Sequence, residues 1–286
     1  MARGDFAVRK ATYFMNKITI SALIIAKNEA AMIQRCIATL RWCDEVLVLD
    51  DGSTDNTVEL AEQTGARVIS FKHKSFARLR NEALKHCKTD WLIYVDADER
   101  VSPKLAREIL VHLETASVSA LTLKRENVFY GATFQHGGWS PDLVTKVFKR
   151  SSLKEWTGDV HESPNYEGEA GYLQVPLLHL THRSVRDGLL KSAEWTRVEA
   201  RLLVASELGK ISFLTILRKG VMEFLRRGFF WKGYKDGEQG LIEALTQGIN
   251  KMLVYMQVWE LQQKPSIPES YEKIEKDIAD AWKSEL

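Results

Sequence analysis

Apolar residues follow two different rhythms along this chain. Over the first hundred residues, short β-branched runs alternate with stretches of helical spacing. Residues 18–26 (ITISALIIA) read as a strand buried on both faces, and residues 29–40 carry Ile33, Ile37 and Leu40 on one helical side. A second strand is expected at 45–49 (EVLVL), then a turn at Gly52 and a helix to about Gln63, capped by Ser53, Thr54 or Asp55. Gly65 ends that helix. A strand at 66–70, a helix at 76–86 and a strand at 91–95 (WLIYV) follow, and Ser102-Pro103 opens another helix by the cap-plus-proline pattern. Strands separated by helices predict an α/β fold with a mostly parallel sheet covered by helices on both faces.

Beyond about residue 117 the rhythm changes. Residues 118–134 and 143–149 look like strands with no helix between them, parted by the turn Gly137-Gly138-Trp139. Residues 157–182, which include His161, His179 and His182, read as irregular. From Val185 onward the pattern is helical, and in 241–256 Leu241, Leu245, Ile249, Met252, Leu253 and Met256 form one apolar stripe. The expected organisation is a tail at 1–16, an α/β domain at 17–183 and a helical C-terminal region at 184–286.

Composition narrows the function classes. The 286 residues hold 40 Lys plus Arg against 38 Asp plus Glu, a formal net charge of +2, so a globally basic nucleic-acid binder is not expected. Three cysteines, Cys36, Cys43 and Cys87, show neither metal-ligand nor CxxC spacing, which predicts a reduced, cytoplasmic protein. Residues 1–17 contain no apolar run suited to a signal peptide, and no stretch reaches the roughly 18 apolar residues of a membrane span.

In an open parallel sheet, ligands bind outside the carboxyl ends of the strands. Three polar clusters fall there: Lys27-Asn28-Glu29, Asp50-Asp51 and Asp96-Ala97-Asp98. A lone Asp after a strand is commonly a helix cap, but three successive clusters are harder to explain that way. Carboxylates one residue apart, as in Asp96-x-Asp98, can direct oxygens at Mg²⁺ or Mn²⁺, whose remaining ligands come from water and substrate phosphates.

IIAKNEA, VLVLDDGSTDNT, RNEAL and WLIYVDADE, in this order and spacing, resemble the family 2 glycosyltransferases of the GT-A fold over about residues 17–115. GWSPDLVTKVFKR, GDVHE and WKGYKDGEQGL extend the likeness toward the bacterial lipopolysaccharide-core β-glucosyltransferase branch. The resemblance implies a nucleotide-diphosphate sugar as donor, UDP-glucose by analogy, metal dependence and inversion at the anomeric carbon. It implies that Ala26, Asn28 and Glu29 lie against the nucleoside, that Asp50 and Asp51 bind its base or ribose, and that Arg80 and Asn81 hold the donor. Asp96 would face sugar or ribose, and Asp98, with Asp96, would serve the metal. Inversion needs a base for the acceptor hydroxyl. Glu162 is the first candidate and Asp142 the second, while His179 and His182 read as structural or acceptor-facing.

Residues 210–235 interleave Lys210, Arg218, Lys219, Arg226, Arg227, Lys232 and Lys235 with Phe213, Leu214, Leu217, Phe229, Phe230 and Trp231. Such a segment suits either an anionic lipid surface or a core helix with a solvated basic face. A lipid-borne glycan acceptor on the inner face of the cytoplasmic membrane would favour the first. Three other readings compete. A haloacid-dehalogenase phosphohydrolase would want Thr or Val where Arg100 stands, a sugar-nucleotide nucleotidyltransferase would want a Gly-rich phosphate loop that is missing, and a non-enzymatic membrane adaptor leaves the carboxylate clusters unexplained.

Overall fold

A computed structural model describes residues 18–115, 117–158, 162–206 and 209–285. The expected tail at 1–16, and His161, lie outside the described residues. The chain divides into two compact units, one comprising residues up to Arg125 and Leu143–Leu178, the other Glu126–Asp142 and His179–Leu286. The segment 126–142 thus groups with the helical C-terminal region.

The first unit is built on strand β1 (Ile20–Ala26), whose ISALIIA sequence is buried at every position but Ile25. A strand buried on both faces belongs at a sheet centre. Parallel partners flank it: β2 (Glu45–Asp50) on one side, with β3 (Arg67–Ser70) beyond, and β4 (Trp91–Tyr94) on the other. The crossovers are α1 (Ile33–Ala38), α2 (Thr57–Gln63) and α3 (Phe76–His86). Helix α1 is shorter than the apolar spacing predicts, because residues 30–32 form turns before the first regular turn of helix. Asp55 takes the Thr57 N–H (3.1 Å) at the start of α2, and Gly65 stops it at φ +94°.

After β5 (Glu99–Arg100) and α4 (Pro103–Thr115), whose first turn is capped by Ser102 Oγ accepting from Leu105 N–H (3.2 Å), the chain enters β6 (Ala120–Phe129). The strand expected at 118–134 is broken at Tyr130-Gly131 into β6 and β7 (Ala132–Thr133), an antiparallel hairpin in the second unit. Strand β8 (Asp142–Lys149) then runs antiparallel to β4, with Ile93 opposite Val147. Residues 157–182 are not irregular. Strands β9 (Leu153–Thr157) and β10 (Ser163–Tyr166) form a hairpin, β11 (Ala170–Tyr172) pairs with β6, and β12 (Leu177–Leu180) joins the main sheet. These strands are three to five residues long and lack alternation. Their pairing comes from the sheet they meet rather than from local pattern. The sheet order is β3-β2-β1-β4-β8-β6-β12-β5. Two apolar layers cover it. Ile20, Ala22 and Ile24 face α1 and α4, while Leu23, Leu47, Leu92 and Tyr94 face α3 and Trp156.

The second unit is helical: α5 (Val185–Ala205), α6 (Phe213–Leu225), a π-helical turn (Arg226–Phe230), a 3₁₀ turn (Gly233–Asp236), α7 (Gly237–Leu261) and α8 (Ile267–Glu285). The apolar stripe of α7 is not its buried side, since Leu245, Ile249 and Met256 are exposed. The buried positions are Gly240, Glu243, Ala244, Gly248, Val254, Tyr255 and Val258. Three of these are small, and at the glycines backbones approach closely: a Cβ on Gly240 would sit 2.1 Å from the Gly233 carbonyl oxygen. Gly240→Ala is therefore expected to destabilise the protein by about 1–3 kcal/mol through forced overpacking. A thermal melt showing an unchanged midpoint would refute this close approach.

Candidate active site

The two acidic loops lie at the carboxyl ends of β2 and β4 and the polar Lys27-Asn28-Glu29 loop at that of β1 between them, with Ala26 directly opposite Asp50. Asp50 bends the first loop, accepting from the N–H groups of Gly52 (3.1 Å) and Ser53 (3.2 Å), and Gly52 meets the turn at φ +75°. Asp51 accepts from Lys27 Nζ (3.1 Å) and from His73 N–H (2.9 Å), linking the ends of β1 and β3. Asn28 occupies the left-handed region at φ +55°. Its Oδ1 accepts from Thr54 N–H (2.7 Å), and its own N–H donates to Ser53 Oγ (2.9 Å). Glu29 N–H reaches Thr57 Oγ1 (2.8 Å). Residues 26–29 and 50–57 thus form one hydrogen-bonded rim.

Behind the rim sits Arg80. Helix α3 turns it inward, and its guanidinium stacks over Tyr94 (5.2 Å) and Trp156 (4.8 Å). One terminal nitrogen reaches both Asp96 Oδ1 (3.3 Å) and Glu162 Oε1 (3.4 Å). Asn81, next in sequence, is bound to the backbone of Trp156: its Nδ2 donates to the carbonyl (2.9 Å) and its Oδ1 accepts from the N–H (2.7 Å). Its amide therefore fixes β9 and the ring that packs on Arg80. A cavity of about 480 Å³ opens beside these elements, lined by His73, Ser75, Arg78, Asn81 and Trp156.

The Asp96-Ala97-Asp98-Glu99 turn closes on itself. Glu99 N–H donates to the Asp96 carbonyl (2.8 Å), and Asp96 N–H donates to Glu99 Oε2 (2.9 Å). Glu99 is wholly buried at 0% exposure, and Lys146 from β8 bonds both of its oxygens (2.7 and 2.6 Å) and Asp96 Oδ2 (2.8 Å). Arg125 approaches Glu99 at 3.6 Å. Burial alone would raise the Asp96 carboxyl, but Lys146 and Arg80 outweigh it and hold the group well below the usual carboxylate range. Burial pushes Glu99 upward instead. Asp98 is half-buried on the same turn.

Of the two candidate bases, Glu162 falls in the first unit, against Arg80. Asp142 falls in the second, accepting from Asn127 Nδ2 (3.0 Å), while Asn127 Oδ1 meets His179 Nδ1 (2.6 Å). His182 Nδ1 lies 3.0 Å from buried Glu243 Oε2, which also accepts from Tyr130 Oη (3.1 Å). Cys36 is buried with its thiol pushed up to about 12 by desolvation, and all three cysteines are free. Lys146, Glu99 and Trp156 are the site residues that sequence reasoning missed. Lys146 stands within TKVFKR, but only the antiparallel register of β8 brings it to the end of β4.

The family model "Glycosyl transferase family 2" matches residues 21–165, just over half of the chain. A "Lipopolysaccharide core biosynthesis glycosyltransferase LpsC" of Rhizobium meliloti (strain 1021) is 28% identical over 272 residues, covering 89% of this chain and 98% of that protein. An uncharacterized glycosyltransferase of Rickettsia bellii (strain RML369-C) is 45% identical over 91 residues, 32% of this chain and 31% of its own. Among solved structures, S. aureus TarS 1-349 in complex with UDP-GlcNAc aligns at 14% identity and a TM-score of 0.46, covering 87% of this chain and 93% of that one. With the acidic loops, the mostly parallel sheet and the family match in agreement, the chain belongs to glycosyl transferase family 2, with a GT-A-like α/β fold.

Proposed function

We propose that this protein transfers a sugar from a nucleotide-diphosphate donor, with UDP-glucose as the first donor to test, onto a glycan or glycolipid hydroxyl with inversion. The observation that carries the reading is the placement of two acidic loops and the polar Lys27-Asn28-Glu29 loop on adjacent strand ends, with Arg80 and Glu162 beside the last of them. Residues 26–29 and Asp50-Asp51 would take the nucleoside, since their rim is already hydrogen-bonded into one surface. The Rhizobium meliloti relative acts, by its name, in lipopolysaccharide core biosynthesis, and its alignment runs nearly end to end. That supports an acceptor of the cell envelope.

Asp98 would hold a Mg²⁺ or Mn²⁺ ion. The donor set fits: these ions take one or two carboxylates and fill the remaining positions with water and phosphate oxygens. Both oxygens of Asp96 are engaged by Lys146 and Arg80, which leaves it better suited to ordering the turn than to a full share of the metal. Among the described residues no group of three His, Cys, Asp or Glu side chains forms an all-protein cage. When bound, the ion supplies Lewis-acid stabilisation of the departing diphosphate. Glu162 would take the acceptor proton, with Arg80 holding it and Asp96 in fixed relation. Asp142 is the alternative base.

An anionic bilayer is the proposed platform, at the cytoplasmic face. Helix α6 buries Ile216, Gly220 and Glu223 while exposing Phe213, Leu214, Val221, Met222 and Leu225, and Phe230 beyond it is 80% exposed. Arg218 lies exposed on the same helix, as does Lys210 just before it. Arg226 and Arg227 are less available, because both pair with Glu223 and stack on Trp231. No helix among the described residues is long and apolar enough to cross a membrane.

Asp98→Asn is expected to abolish transfer and to remove any response to added Mn²⁺, with the melting temperature retained. Full-rate transfer by chelator-treated wild type would contradict the metal role. Glu162→Gln should lower turnover about 10²- to 10⁴-fold with donor affinity near wild type, the signature of a lost general base. If Asp142→Asn shows that loss and Glu162→Gln does not, the role passes to Asp142. Co-sedimentation with anionic vesicles should fall as salt rises, and fall further in Phe213→Glu/Leu214→Glu and in Arg218→Glu. Equal pelleting with neutral and anionic vesicles would argue against the lipid surface.

A further inference from the structure

Beneath the Asp96–Asp98 turn lies an ion pair that the proposed chemistry does not itself use. Lys146 is almost wholly buried, and a buried ammonium is stable only with its charge matched and its protons taken. Its contacts supply both: two to Glu99 (2.7 and 2.6 Å) and one to Asp96 Oδ2 (2.8 Å). Glu99 in turn accepts from the Asp96 N–H (2.9 Å), so it holds both the backbone of Asp96 and, through Lys146, its carboxylate. Asp96 cannot rotate about its side-chain bonds without breaking the Lys146 contact on one oxygen or the Arg80 contact on the other (3.3 Å).

We infer that Lys146 and Glu99 are a positioning pair for donor binding, fixing the rotamer of Asp96 and the shape of the Asp96–Asp98 turn before any nucleotide sugar arrives. The inference rests on the glycosyl-transfer reading. Neither residue touches donor or acceptor in this scheme; both act through Asp96. A preformed turn spares the donor the ordering cost that a mobile acidic loop would impose. Groups that orient a ligand-binding side chain from behind typically matter by about 10- to 100-fold in affinity or activity.

The test is a double-mutant cycle on the full chain, read by calorimetric affinity for a panel of UDP-, GDP- and dTDP-sugars with Mn²⁺, alongside thermal melts. Lys146→Met alone strands a buried carboxylate and can unfold the protein, so the cycle also uses Lys146→Met/Glu99→Gln, which removes both charges together. Either folded variant should bind the donor about 10- to 100-fold more weakly than wild type. The same substitutions placed on Asp96→Asn should cause no further loss, because the side chain through which they act is already altered. A plain structural role would lower the melting temperature and weaken binding equally in both backgrounds, and that additive result overturns the inference. Unchanged donor affinity in the folded double variant overturns it as well. Wild-type protein that binds no nucleotide sugar of the panel overturns the glycosyl-transfer reading itself, and this role falls with it.

Discussion

The contact between Lys146 and Glu99 is the constraint on which much of the first unit depends. Neither charge is tolerable alone in a buried position, and removing one partner of such a pair typically costs about 3–5 kcal/mol. Together they require β8 to lie beside β4 in the antiparallel sense, since that register carries Lys146 to the level where β4 ends. The antiparallel neighbour of β4 is thereby tied to the acidic turn by charge. Arg80, paired with Asp96 and Glu162, and Arg125, close to Glu99, extend the cluster.

Structural and functional explanations of the acidic residues are not exclusive here. Asp50 bonds within its own loop and Asp51 joins two strand ends, structural roles other than the helix capping a lone Asp after a strand commonly serves. Yet a surface proposed to meet a charged nucleotide would benefit from having its own polar groups already ordered, because binding then carries less reorganisation. Asn28 shows this most clearly. Its positive φ is uncommon for a residue with a side chain, and two hydrogen bonds across to residues 53 and 54 hold it there.

Local pattern made the α/β frame legible. The run ISALIIA is buried because it lies inside the sheet between β2 and β4, and helix α3 begins and ends where its apolar spacing does. The acidic loops were readable for the same reason, being strand ends with repeated carboxylates. What stayed hidden depends on distant pairing. The short strands β10 to β12 have too few residues to show a period, and Lys146 looks like any lysine in TKVFKR until β8 is set against β4. Asn81 carries a likeness to donor-holding residues, yet its amide serves Trp156, a partner 75 positions away that no local pattern could name.

The helical region reverses the usual inference from an apolar stripe. In α7 the period-3.6 apolar positions Leu245, Ile249 and Met256 are exposed, while Gly240, Ala244 and Gly248 share the buried side with Glu243, Val254, Tyr255 and Val258. Close backbone approach explains this: Gly220 and Gly248 face one another so tightly that a Cβ on Gly220 would meet Met252 Cγ at 2.3 Å and the Gly248 carbonyl oxygen at 2.9 Å. Close packing at these glycines goes with exposure of Leu214, Met222, Leu245, Ile249 and Met256 on α6 and α7, although a soluble surface ordinarily limits contiguous apolar area. Helix α8 repeats the theme, with Tyr271, Ile274, Ile278 and Trp282 exposed at helical spacing, but its polar positions are mainly acidic. An anionic bilayer would attract the basic flank of α6 and repel that of α8. Charge therefore separates two apolar faces that hydrophobicity alone would treat as equivalent, and it favours α6 over α8 as the place to test the proposed lipid surface.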